Sequence, residues 1–149
     1  KYMNGTYYLI EFTARGGGVF VGSKIVPYVS GVDNYRILIE SALNRCSEDT
    51  PYQINTAIEK NKEKVAGLCF FDLDSKGKPV KKIYGEALLK KTFDDGNLLD
   101  FKIDFKVGDI IEKPKDGNTR CGHFIAVSDN QDKLNDLIEK LYKEVYIEY

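Results

Sequence analysis

The chain is poor in several residues that would announce a chemistry: it has no tryptophan, one methionine, one histidine, four prolines and three cysteines among 149 residues. Cys46, Cys69 and Cys121 are odd in number and far apart, with no Cys-x-x-Cys spacing. That argues against a disulfide framework or a zinc knuckle and leaves them as buried or incidental thiols. No apolar run approaches the roughly 20 residues needed to cross a bilayer, and the first residues hold no signal-peptide core, so the expected compartment is the cytoplasm. Charge of neither sign dominates, with 22 Lys plus Arg against 23 Asp plus Glu. Without a basic surplus or an aromatic-basic signature, neither nucleic acid nor an anionic membrane is an expected partner. The nucleotide signatures are missing too. Gly16-Gly17-Gly18 is not followed by Gly-Lys-Ser or Gly-Lys-Thr, and Gly16 to Gly22 lacks the spacing of the dinucleotide fingerprint.

What is present is material for a core: 42% hydrophobic and 12% aromatic residues in a length that suits one ordinary domain. The stretch richest in chemistry is Tyr7 to Gly18. Tyr7, Tyr8, Leu9 and Ile10 are β-prone and apolar, as in a strand covered on both faces. At its end Glu11, Thr13 and Arg15 share a side, so a carboxylate, a hydroxyl and a guanidinium face one ligand. The three glycines then allow close backbone approach to an anion. A hard-cation ligand beside an anion binder suggests metal-bound phosphate, whereas the plainer reading is a strand ending in surface charges and a flexible turn.

The order Glu11-Phe12-Thr13-Ala14-Arg15, a glycine-rich loop, then Gly31-Val32-Asp33 opening a helix, resembles the end of the catalytic domain of ATP-grasp ligases. In that family a strand carries Glu-x-Asn-x-Arg, and a Gly-hydrophobic-Asp sequence opens the next helix. The resemblance implies that Glu11 is a ligand to magnesium ions bridging the ATP phosphates, with Thr13 at the second metal position. It implies that Arg15 binds the cofactor phosphates and acts catalytically by holding the carboxylate or acyl-phosphate. Thr13 departs from the usual Asn, which leaves the metal count open. ATP and magnesium are thus the implied cofactors, and a small-molecule carboxylate and amine the implied substrates. Because the adenine pocket of these ligases lies upstream of the Glu-x-Asn-x-Arg strand, the chain is expected to be the C-terminal portion of a longer ligase and inactive alone. The alternative is a non-catalytic binding or assembly module that retains the ATP-grasp architecture. Nothing in the sequence speaks to oligomeric state.

Along the chain, Asn4-Gly5 reads as the tight turn of a hairpin. Val19 to Val29 reads as a loop or short helix. Asp33 is a good N-cap, with Tyr35, Leu38, Ile39, Ala42, Leu43 and Cys46 at helical spacing on one face, which predicts a helix from about Asn34 to Arg45. Capping explains Asp33 without assigning it to a site. Pro51 after the polar Ser47 to Thr50 marks a boundary, so the expected division is 1–47, the end of an ATP-grasp domain, and 48–149, a small C-terminal α+β domain. Ile54, Ala57 and Ile58 suggest a short, weak helix before a solvated charge run, Glu59 to Lys64.

Val65 to Leu73 reads as a strand, with Asp74 to Lys78 as a turn and Val80 to Tyr84 as its hairpin partner. Leu88 and Leu89 suggest a short helix before the Asp94-Asp95-Gly96 turn. Leu99, Phe101, Ile103, Phe105 and Val107 alternate with Asp100, Lys102, Asp104 and Lys106, a strand with one wet face. Asp100 and Asp104 on that face make a metal site conceivable, but the interleaved lysines favour solubility. After a Val107-Gly108-Asp109 turn, a short Ile110-Ile111 strand and a loop, Arg120 to Ser128 is a strand and Asp129 or Asn130 caps a final helix. Leu134, Leu137, Ile138, Leu141 and Val145 form that helix's apolar face. Tyr146-Ile147 reads as a last strand. His123 has no Cys, Ser or carboxylate at motif spacing and reads as packing rather than catalysis. The fold class expected is α+β, the C-terminal end of an ATP-grasp catalytic domain followed by a small antiparallel-sheet plus helix domain.

Overall fold

The computed structural model describes residues 2–8, 18, 20–116 and 119–149. Asn4-Gly5 turns the chain between β1 (Tyr2–Met3) and β2 (Thr6–Tyr7), which pair antiparallel. Both turn residues have positive φ, 51° and 77°. That is the geometry whose twist matches two antiparallel strands, and Asn-Gly is the pair that tolerates it.

A π-helical segment, Val21–Ile25, runs into α1 (Val26–Ser30), so the stretch read as a loop or short helix is helical. Pro27 sits in the first turn of α1, where its missing N–H leaves no bond unmade. α2 (Asn34–Ala42) begins as expected, with Asp33 Oδ1 accepting a hydrogen bond from the Arg36 amide at 3.0 Å. It ends short of Arg45. Its apolar stripe finds no core: α2 has no buried residue, and Leu38 and Ile39 are each 60% exposed. α3 (Thr50–Lys60) is longer than the weak helix expected, because Pro51 lies in its first turn and starts the helix rather than breaking it.

The centre of the molecule is a three-stranded antiparallel sheet in the order β3 (Val65–Phe70), β6 (Gly122–Ser128), β5 (Leu98–Ile103). This corrects the expected hairpin. The Ser75–Lys78 turn forms, with Lys78 N donating to Ser75 O at 3.0 Å, but the chain beyond it leaves the sheet. Val80 exchanges backbone bonds with the 108–109 turn, and β4 (Lys82–Ile83) pairs with β7 (Ile147–Glu148). β3 pairs instead with β6, from Val65 opposite Ser128 to Phe70 opposite His123. The two segments are far apart in sequence, so the pairing is chosen by burial. β6 is buried on both faces from Gly122 to Val127 and belongs in the middle.

One face of the sheet packs on α4 (Glu86–Asp94) and α5 (Gln131–Glu144). Phe71, Leu89, Leu98, Phe124, Ala126, Leu134, Leu141 and Val145 form the core there, with Leu137, Ile138, Phe101, Ile103 and Phe105 packed against it. The apolar face read for α5 is therefore the one buried. β5 also keeps its expected alternation, except that Leu98 enters the core by a bulge between Leu98 and Asp100, and Val107 is exposed in the turn after the strand. Ile110 contributes only a bridge to Pro79. Gly122 has φ 140°, and a Cβ there would lie 2.3 Å from the Lys102 carbonyl oxygen, so the close approach of β6 to β5 requires glycine.

Candidate functional site

The sequence places its candidate chemistry at Glu11, Thr13 and Arg15, and all three lie outside the described residues, as do Gly16 and Gly17. Gly18 is described: it is an exposed turn residue whose carbonyl accepts from Val21 N at 3.3 Å. From there the described chain enters the helical segment through Phe20, held at φ 60° with its carbonyl accepting from Lys24 N and Ile25 N. That segment lies on the second face of the sheet.

This second face is the one read as wet. It is so at Lys102, whose side chain is exposed, but the helical segment covers Asp100. Lys102 lies opposite His123, and Phe70 flanks His123 from the other side, so Asp100, Lys102, Phe70 and His123 share one face. The Phe20 ring packs on the His123 ring with centroids 5.1 Å apart, and Phe70 meets it edge-on at 6.4 Å. Lys24 Nζ reaches Asp100 Oδ2 at 2.9 Å, and His123 Nε2 approaches the same oxygen at 3.5 Å. The Asp100 side chain is 26% exposed. Burial alone would raise its pKa, but the Lys24 and His123 hydrogen bonds and the lysine charge outweigh it and hold the carboxyl below its usual range.

His123 thus packs against aromatic rings, as expected, and it also has a carboxylate neighbour 23 residues away in sequence. No local motif reveals that pair; only the register of β5 on β6 does. Arg120, just before β6, stacks its guanidinium over Phe70 at 3.6 Å.

The other sequence candidates resolve into structural roles. Asp33 caps α2. It borders a cleft of about 320 Å³ between α2 and α3, where Arg36 is already engaged by Glu40 at 2.8 Å. Asp104 pairs with Lys102 rather than joining Asp100. Among the described residues no three His, Cys, Asp or Glu side chains gather to hold a metal ion. Cys46 is exposed, Cys69 half-buried and Cys121 buried, and all three are free thiols.

Residues 89–149 match the family model described as L-amino acid ligase C-terminal domain 2. Among solved structures the chain is similar to an L-amino acid ligase from Bacillus licheniformis, with a TM-score of 0.66 and 20% identity. The likeness covers 98% of this chain and 35% of that one, so the chain spans about a third of the ligase's length. No curated protein matches the sequence. In its fold the chain is therefore similar to part of an L-amino acid ligase, and over residues 89–149 in its sequence to the C-terminal domain 2 of such ligases.

Proposed function

We propose that the chain is the C-terminal portion of a cytoplasmic ATP-dependent ligase that activates a carboxylate as an acyl-phosphate for attack by an amine. The observation that carries this reading is the family match over residues 89–149, supported by the shared fold. The relative's name suggests an L-amino acid as a substrate class.

Within this reading Glu11 and Thr13 would hold magnesium, because their carboxylate and hydroxyl oxygens suit a hard cation. The metal would supply neutralisation of the phosphate charge. Arg15 offers two parallel donors to the carboxylate or acyl-phosphate, which orients it for the amine and disperses its charge. A carboxylate oxygen takes the terminal phosphoryl group of ATP and ADP leaves; the amine nitrogen then bonds to the acyl carbon, inorganic phosphate leaves as its bond to that carbon breaks, and the proton lost from nitrogen passes to the departing phosphate.

The test is steady-state kinetics against thermal melting for Glu11→Gln and Arg15→Lys in the full-length ligase. Both variants are expected to lose at least about tenfold in turnover while melting near the wild type, because a lysine cannot reproduce the planar fork. The 149-residue chain alone is expected to show no ATP turnover. Wild-type turnover in both variants would remove this stretch from the active site, and a full-length wild type without turnover would favour a non-catalytic assembly module; a silent Arg15→Lys alone would mark an exposed charge, worth only about 0–1 kcal/mol.

A further inference from the structure

Helix α2 shows its apolar side to water. The side it turns toward α3 carries Asp33, Arg36 and Glu40 beside the half-buried Ile37, across a cleft from Gln53 and Ile54. Leu38, Ile39, Ala42 and the C-cap Leu43 share another side at the three- and four-residue spacing of one helix face. All four are exposed, and none of them joins the hydrophobic core. A helix with this pattern normally lies with its stripe inward. Here a close contact holds it the other way. Tyr35 and Asn34 stand over the buried Gly22 of the π-helical segment, where a Cβ would come within 3.0 Å of Tyr35 Oη and 3.3 Å of Asn34 Nδ2. The outward stripe is therefore set by a fitted junction.

The size of the stripe decides what can cover it. A stable interface between separate proteins takes about 20–30 residues a side, whereas α2 has 9 residues and turns only part of them outward. A second copy or a free partner is not retained by so small a face. A surface of the same polypeptide is, because the covalent link replaces association with a high effective concentration. The fold likeness supplies such a surface: the L-amino acid ligase that matches 98% of this chain has only 35% of its own length in the match. We propose that α2 is a seam, with Leu38, Ile39, Ala42 and Leu43 packed on an apolar surface of the remaining chain of the ligase, at an angle set by Gly22. This rests on the function proposed above in one respect, that the chain is part of a longer ligase.

The test compares amide hydrogen exchange in the 149-residue chain and in the full-length protein, together with sedimentation velocity of the former. Residues 34–43 are expected to exchange at least about tenfold more slowly in the full-length protein, with residues 122–128 alike in both. The 149-residue chain is expected to sediment as a monomer. Leu38→Gln combined with Ile39→Gln is expected to leave the 149-residue chain melting within about 2 °C of wild type, because both side chains are exposed there. In the full-length protein the same double variant returns residues 34–43 to the faster exchange, while Leu38→Met keeps them protected. Equal exchange in the two wild-type proteins, or a double variant that melts well below wild type in the 149-residue chain, overturns the seam. A dimer of the 149-residue chain that the double variant dissociates gives the stripe to a second copy and overturns it too. A full-length protein that protects residues 34–43 but has no ligase turnover overturns the functional reading and leaves the seam; turnover without that protection does the reverse.

Discussion

Ser75 shows how much a single polar atom can carry in this fold. It sits in the turn after β3 and is completely buried. Its Oγ accepts from Ile111 N at 2.9 Å and donates to Ile111 O at 3.2 Å, while its own amide donates to that same carbonyl. One small hydroxyl thus satisfies the backbone of a segment 36 residues away. Ser75→Ala leaves the Ile111 amide buried without its partner, and a loss of about 1–3 kcal/mol in denaturant unfolding is expected. A loss below about 0.5 kcal/mol would mean that the loop relaxes to let water reach the amide. The sequence marks Ser75 only as a turn residue, because what distinguishes it is a partner remote in the chain. Asp100 teaches the same lesson: its alternation with Leu99 and Phe101 correctly gives its face, and only packing shows that Phe20 and Lys24 cover that face.

At the scale of elements, the helices with built-in signals were legible. α5 has Asn130 at its N-cap, whose Oδ1 accepts from Asp132 N at 2.8 Å and Lys133 N at 3.1 Å, and its apolar face meets the sheet. Asn130→Ala is expected to cost about 1 kcal/mol, read as a lowered urea midpoint with an unchanged slope. Asp129→Ala is expected to be nearly silent by comparison, since the Asp129–Lys133 ion pair is exposed on both sides. The β3 partner was not legible. A turn of Asp, Ser, Lys and Gly between apolar runs is a sound hairpin signal, yet β3 turns to a strand that begins about 50 residues later, because β6 is the described strand that is buried on both faces and takes the middle of the sheet. α2 errs in the other direction. Its stripe of Tyr35, Leu38, Ile39 and Leu43 is a good amphipathic pattern, but a pattern states what a face can bury and not what stands opposite it.

The molecule as a whole has a pH response that follows from groups tying α5 to β3. Tyr142 on α5 donates its hydroxyl to Phe70 O at 3.2 Å. Burial first, then the neighbouring Cys69, pushes its phenol up to about 12 from the usual 10. Burial also raises Cys69 and Cys121 above 9.0. Each of these groups is neutral when protonated and holds its proton more tightly folded than unfolded, so its contribution is complete below the unfolded value and lost as pH rises through the folded one. The melting temperature should therefore fall from about pH 9 upward, and Tyr142→Phe should flatten the part between pH 10 and 12. An equally steep fall in that variant would assign the alkaline loss elsewhere. Asp100 acts with the opposite sign: its lowered pKa gives stability above 3.8 that disappears in acid.

By itself the sequence determined the α+β class, the Asn4-Gly5 hairpin, the cap at Asp33 and one at Asp129 or Asn130, the inward faces of β5 and α5, and the likeness to an ATP-grasp ligase. These are readable because they depend on spacing within one element or on a few residues in fixed order. The tertiary structure alone decided that β6 separates β3 from β5, that β4 joins β7, and that Asp100, His123, Lys24 and Phe20 meet on a face patterned for water. Those outcomes depend on which strand can be buried on both sides and on the register between strands, and register is a relation between distant segments that no single segment encodes.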